Sequence, residues 1–93
     1  MKEAQLERYL KALANRRRLA ILHMLLKRKE ASVGTIADAI KLSLTSTSKH
    51  LLILERAGFT DKEQKSLNVY YRIVSDAPAI LSHVLKLLSN SRE

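Results

Sequence analysis

The 93-residue chain contains no cysteine, no tryptophan, two glycines and only four aromatic residues, three Tyr and one Phe. Without cysteine there is no disulfide, no thiol nucleophile and no thiolate metal site. The glycine-rich loop that cradles phosphate is absent. So are paired carboxylates and any Ser/His/acid spacing, and three scattered histidines do not make a catalytic site. An enzyme is therefore not expected. The four aromatics fall at core or strand positions, which leaves no exposed platform for stacking RNA bases. No apolar run approaches the roughly 18 residues that cross a bilayer. The start, Met1-Lys-Glu-Ala-Gln-Leu-Glu-Arg8, is charged throughout and lacks the apolar segment of a signal peptide, so a cytoplasmic location is expected.

What is present is positive charge. Seventeen Lys and Arg against nine Asp and Glu give a net charge of +8, with a pI near 10.1. Such a balance favours nucleic acid as a partner over an acidic membrane or protein surface. The length suits a single small domain, residues 1–93. A domain of this size buries only about 60–65% of the surface its unfolded chain exposes, so association of two copies is a natural source of stability.

Ser43 to Gly58 is the most informative stretch. Ser43 is placed to cap a helix through its hydroxyl, and Gly58 suits the left-handed residue that ends one. At about 100° per residue Thr47, Leu51 and Leu54 share an inward face. Thr45, Lys49, Leu52 and Arg56 lie opposite, with Ser46 and Ser48 alongside. The first half of that outer face is short, polar and uncharged or basic, as a surface pressed against DNA base edges has to be. Hydroxyl residues also simply cap helices, so the neighbouring segments decide between the two readings.

Leu6, Tyr9, Leu10 and Leu13 give a first helix over residues 3–13. Asn15 caps a second running to about Lys29, with Leu19, Leu22, Leu25 and Leu26 inward and Ile21 adjoining. Arg16, Arg17 and Arg18 in its first turn oppose the helix dipole, at about 0.3–1 kcal/mol each when exposed. Either an anion such as phosphate or an acidic side chain elsewhere in the fold would offset this. Ser32-Val33 reads as a short extended link. Gly34 to Ile40 reads as a third helix with Ile36, Ala37 and Ile40 inward, and Lys41-Leu42 as a turn in which Lys41 stands where glycine is easiest. Residues 34–58 thus form a helix-turn-helix. Beyond Gly58 the period shifts to two, giving a hairpin wing over residues 59–74 with strands Phe59–Gln64 and Asn68–Val74. Lys62, Lys65 and Arg72 are its phosphate candidates, opposed by Asp61 and Glu63. A last helix over residues 76–90 is expected, capped by Ser75 or Asp76 with Pro78 in its first turn. Its stripe is Ile80, Leu81, Val84, Leu85 and Leu88. The expected fold is mainly α with a small β-hairpin, in the order ααααββα. Leu6, Tyr9, Leu10 and Leu13 with the stripe of the last helix are expected to make a two-fold dimer interface.

Three segments in one register resemble the ArsR/SmtB family of winged helix-turn-helix regulators. They are Leu13-Ala-Asn-Arg-Arg-Arg18 with the leucines after it, Leu42-Ser43 to Ala57-Gly58-Phe59 including Ser48, His50, Leu51 and Leu54, and Val69-Tyr-Tyr-Arg-Ile73. The resemblance covers residues 5–88. It implies a homodimer on an inverted-repeat operator, acting as a repressor until an effector binds. The family's cysteine-valine-cysteine metal site falls on Ser32-Val33-Gly34, which supplies no thiolate. Its second site, on the last helix, finds only Asp76 and His83. No metal and no cofactor are expected, and the effector is left open.

The expected function is sequence-specific binding of double-stranded DNA for transcription regulation. Thr45, Ser46, Ser48 and Lys49 are the base-edge candidates. Arg16, Arg17, Lys41, Lys62, Lys65 and Arg72 are the backbone candidates, and His50 combines a structural hydrogen bond with a phosphate contact. His23 is expected at a core edge. The alternative is a winged-helix module that binds a protein through Leu52, Ile53 and the last helix and meets nucleic acid only non-specifically.

Overall fold

The elements follow in the order α1 (Glu3–Leu13), α2 (Arg16–Arg28), β1 (Ala31–Ser32), α3 (Val33–Ile40), α4 (Leu44–Arg56), β2 (Thr60–Lys65), β3 (Asn68–Ile73) and α5 (Ala79–Ser89). They are seen in a computed structural model that describes residues 1–90. The last three residues of the expected 1–93 domain lie outside that range. The helices and the β2–β3 hairpin reproduce the winged helix-turn-helix expected from periodicity. The link at Ala31–Ser32 adds a third strand, pairing antiparallel with β3 (Ala31 opposite Tyr71, Ser32 opposite Tyr70) in a sheet of order β1-β3-β2. Two residues carry too little periodicity to be read as a strand, and only the distant β3 defines them.

Local chemistry sets the helix ends. The Asn15 side chain accepts from the Arg18 amide at 3.1 Å, Ser43 accepts from the Ser46 amide at 3.1 Å, and Ser32 accepts from the Thr35 amide at 3.3 Å. Each satisfies a donor that the first turn otherwise leaves open. Helix α4 closes with the amides of Gly58 and Phe59 donating to Glu55 and Leu54, and Gly58 sits at φ +84°. Helix α3 ends in the same hydrogen-bonded wrap: Lys41 and Leu42 donate to Asp38 and Ala37, and Lys41 is held at φ 57°, ψ 52°. A side chain there costs about 1 kcal/mol against glycine, so the strain expected at Lys41 is present.

Helix α5 departs from expectation at its start. Pro78, not Ser75 or Asp76, is the boundary residue, extended at ψ 143°, and no side chain caps the helix. Proline disfavours helical backbone in the residue before it, so the chain becomes helical only after Pro78.

The core gathers Ile21, Leu22, Ile36, Leu51, Leu54, Phe59 and Leu81, with the Tyr9 ring 5.6 Å from that of Phe59. Thr47, Leu51 and Leu54 are buried and Thr45, Lys49, Leu52 and Arg56 exposed, as the wheel requires. Helix α2 is rotated from its expected setting. Ile21 lies within the buried arc with Leu22 and Leu25, while Leu26 is 37% exposed. At 100° per residue Leu26 falls about 90° from the centre of that arc.

The expected dimer set divides in two. Tyr9, Leu13 and Leu81 are buried in the chain's own core. Leu6 and Leu10 stay exposed, and Ile80, Val84, Leu85 and Leu88 are half-buried. Leu87, outside the expected stripe, is 73% exposed. It lines an apolar trough of about 320 Å³ between α1 and α5 with Leu10, Leu13, Leu19, Val84 and Leu88.

The hydroxyls of Thr47 and Thr60 are buried with no hydrogen-bond partner among the described residues. An unpaired buried hydroxyl costs about 1–3 kcal/mol. Thr47→Val keeps the branched shape and removes that penalty. It is expected to raise stability by about 1 kcal/mol, or Tm by about 4–8 °C for a domain of this size, as read by thermal melting.

Candidate nucleic-acid interface

Helix α4 is anchored by its apolar side and open on the other. Thr45, Ser48 and Lys49 are exposed and Ser46 is half-buried because its amide closes the Ser43 cap. Leu44 is 58% exposed on the first turn of the same helix. Apolarity usually marks core positions, so sequence reasoning passed it over. An exposed apolar side chain here suits the thymine methyl in a major groove.

Arg16, Arg17 and Lys41 are brought together. Arg17 Nη1 donates to the Ile40 carbonyl at 2.7 Å, drawing the start of α2 against the turn between α3 and α4. Around that contact lies a groove of about 540 Å³ lined by Arg16, Arg17, Lys41, Lys27 and His23 over Ala20, Met24, Ala39 and Ile40. None of these cations has a carboxylate within 4 Å among the described residues. The positive field of the first helical turn is therefore uncompensated. Lys27 and His23 join it because they stand three and two turns along α2 on the face of Arg16, a spacing that could have been read from the sequence.

The wing is electrostatically different. Lys65 Nζ bonds both carboxylate oxygens of Glu30 at 2.9 and 3.0 Å, and Arg72 bonds Glu63 at 2.8 Å and Asp61 at 2.9 Å. Lys62 lies 3.7 Å from Glu55. The Glu30 hydrogen bond raises the Lys65 pKa, and the bond to Glu63 with the charge of Asp61 raises that of Arg72. The three wing cations are thus neutralised within the chain, and the structure does not bring them into the free basic surface. Glu30 is 35 residues from Lys65, a separation no sequence pattern bridges.

Arg18 is the interior member of the arginine run. Its guanidinium donates from Nε to the Ala12 carbonyl and from Nη2 to the Lys11 carbonyl at 3.1 Å, closing the end of α1. Nη1 lies 3.1 Å from His50 Nδ1 on α4. Guanidinium only donates, so Nδ1 is the acceptor and the imidazole proton sits on Nε2. The structural hydrogen bond expected of His50 is thus present, and Nε2–H lies outside it. Burial, then the charges of Arg18 and Arg17, lower the His50 pKa below its ordinary 6.5. Burial lowers that of Arg18 as well.

The family's metal positions do not fit a metal. The Ser32 hydroxyl is committed to the start of α3, bonding Thr35 Oγ1 at 3.1 Å and accepting the Thr35 amide. Gly34 has no donor, and among the described residues no three His, Cys, Asp or Glu side chains converge. Asp76 and His83 are both exposed.

The His50 contact carries a pH signature. Protonation at Nδ1 breaks the Arg18 bond, and the unfolded histidine takes up its proton at a higher pH than the folded one. The stabilisation is therefore complete above about pH 6.5 and lost as pH falls through the depressed folded pKa. His50→Gln is expected to be less stable than the parent at pH 7.5, with the difference shrinking toward pH 5.5. Melting temperatures of the two proteins across that range measure it.

A family model described as a helix-turn-helix domain matches residues 13–63. The transcriptional activator HlyU of Vibrio cholerae is 42% identical over 66 residues, which is 71% of this chain and 60% of HlyU. The chain spans 60% or less of the length of the first relatives it matches. A solved structure of Vibrio cholerae HlyU superposes with a TM-score of 0.75 at 34% identity, covering 96% of this chain and 91% of that one. The homodimeric winged helix-turn-helix DNA-binding domain of a possible ArsR-family regulator from Mycobacterium bovis gives 0.76 at 35% identity, covering 92% and 76%. Fold and sequence agree: the chain belongs to the ArsR/SmtB family of winged helix-turn-helix transcriptional regulators.

Proposed function

We propose that this protein is a homodimeric, sequence-specific regulator of transcription that places α4 in the major groove of double-stranded DNA. The observation that carries this reading is the uncovered outer face of α4, with Thr45, Ser48 and Lys49 exposed, preceded by a turn at which Arg16, Arg17 and Lys41 gather without acidic partners among the described residues. Thr45, Ser46, Ser48 and Lys49 read base edges and Leu44 meets thymine methyls. The arginines, Lys41 and His50 Nε2 hold the backbone. The paired wing cations Lys62, Lys65 and Arg72 have a minor part. The proteins this chain is similar to include a transcriptional activator and a transcriptional repressor. Repression through an inverted-repeat operator, inside the cytoplasm, is the reading the family favours for this chain.

The second copy is assigned to the trough between α1 and α5. Leu6, Leu10 and Leu87 are exposed large apolar residues, and two copies related by a two-fold axis cover each other's. That arrangement sets two α4 helices on one DNA face, with half-site centres about 34 Å apart.

Two substitutions test the reading. Lys41→Gly is expected to raise stability by about 1 kcal/mol through relief of the positive φ. It should also weaken DNA binding and flatten the slope of log K against log salt by about 0.9. Lys65→Ala should leave that slope nearly unchanged, because Glu30 already neutralises the lysine. Equal slope changes in both variants would refute this division of roles. Leu10→Asp with Leu87→Asp should give a monomer by sedimentation and abolish tight operator binding, while the circular dichroism of the folded domain persists.

A further inference from the structure

A second cationic groove shares only Arg18 with the contacts described above. It occupies about 380 Å³ between α1 and the end of α4 and is lined by Arg8, Lys11, Arg18, Ile53, Arg56 and the buried Ala12 and Ala57. Four cations from three helices converge on an apolar floor, and among the described residues no acidic one lines it. Among the described residues Arg8, Arg18 and Arg56 have no carboxylate within 4 Å, and Lys11 reaches Glu7 only at 3.9 Å. Helix-dipole compensation accounts for Lys11 and Arg56, each in the last turn of its helix. It does not account for Arg8, in the middle of α1 with its guanidinium 5.8 Å from the Tyr9 ring centre. Nor does it account for Ile53, left 40% exposed on the floor. Like charges gathered over exposed apolar surface are disfavoured on both counts until an anion with an apolar body covers them.

The structure assigns this groove as a binding site for a small apolar carboxylate. The acid group meets Arg8 and Arg56, and the hydrocarbon lies on Ile53 and Ala57. Arg8 stands about 160° round α1 from Leu6 and Leu10, so the groove opens away from the trough given to the second copy. The site is connected to the DNA-reading helix. Arg18 forms part of its wall and also bonds His50 on α4. A carboxylate that engages the remaining N–H groups of Arg18 therefore acts on the contact that fixes α4 against α1. Binding itself does not depend on the proposed DNA role; only its consequence for DNA does.

The test uses the full chain titrated with decanoate below its micellar concentration, with decylamine as the control of equal length and opposite charge. Calorimetry measures affinity, and nitrogen–proton NMR spectra locate the site. Decanoate is expected to bind one site per chain and shift the amides of Ala12, Ile53 and Ala57 together with the His50 ring nitrogens. Arg8→Ala with Arg56→Ala, both exposed positions, should weaken it by about tenfold or more, the loss of at least one charge-assisted contact. Ile53→Asp should abolish it. Several results would overturn the assignment: equal affinity for decylamine, unchanged affinity in the double variant, or shifts confined to Leu10, Val84 and Leu88. An unmoved His50 signal on saturation would overturn the link to α4. DNA affinity in the absence of decanoate, measured on the double variant, separates this site from the DNA-binding reading, since neither arginine belongs to that interface.

Discussion

The guanidinium of Arg18 is the contact on which the arrangement of helices depends. Three of its N–H groups are spent on two carbonyls in the last turn of α1, those of Lys11 and Ala12, and the imidazole of His50. One rigid, permanently charged fork thus closes a helix end that would otherwise leave acceptors open and ties that helix to α4. Lysine carries the charge and three donors on a single nitrogen, without the planar fork that spreads them over three. The helix that carries the apolar trough and the helix proposed to enter DNA are consequently set by a single side chain.

Around that centre the charges are segregated by whether they are answered within the chain. Among the described residues Arg16, Arg17, Lys27 and Lys41 are left without carboxylates around the turn that precedes α4, Arg16 and Arg17 against the dipole of α2 and Lys41 against backbone preference. The wing cations Lys62, Lys65 and Arg72 are matched to Glu55, Glu30, Glu63 and Asp61. A net charge of +8 describes both sets equally, yet only the first produces a field that reaches outward. The chemistry of the surface is decided by which acids lie nearby in space, and several of those partners come from other elements.

That difference marks what a linear reading reaches. The caps at Asn15 and Ser43, the inward face of α4, the left-handed turn at Lys41 and the glycine end of α4 are all local. Each follows from residues within one or two turns, and each is found in the structure. Strand β1 was not legible because two residues become a strand only through pairing with β3. The start of α5 was misplaced because the hydroxyl and acid before Pro78 suggest caps, whereas the conformational restriction of proline overrides them. In the interface, the hydroxyl-and-lysine face was legible from spacing. The exposure of Leu44, the salt-bridged state of the wing and the removal of Tyr9, Leu13 and Leu81 into the core were not. Periodicity says that a residue faces inward without saying whether its own chain or another supplies the cover.

The sheet order places β2 at an open edge, its backbone donors and acceptors available to any extended strand. Thr60-Asp-Lys-Glu-Gln-Lys65 puts charge of alternating sign along that edge, and Glu30, Glu55 and Arg72 pin those side chains in place. The same pairing that withdraws the wing from phosphate thus acts as a guard rail. A copy approaching edge to edge has to break fixed ion pairs before it can add a strand. Paired charge of alternating sign along an edge strand is one of the ways a sheet discourages strand addition.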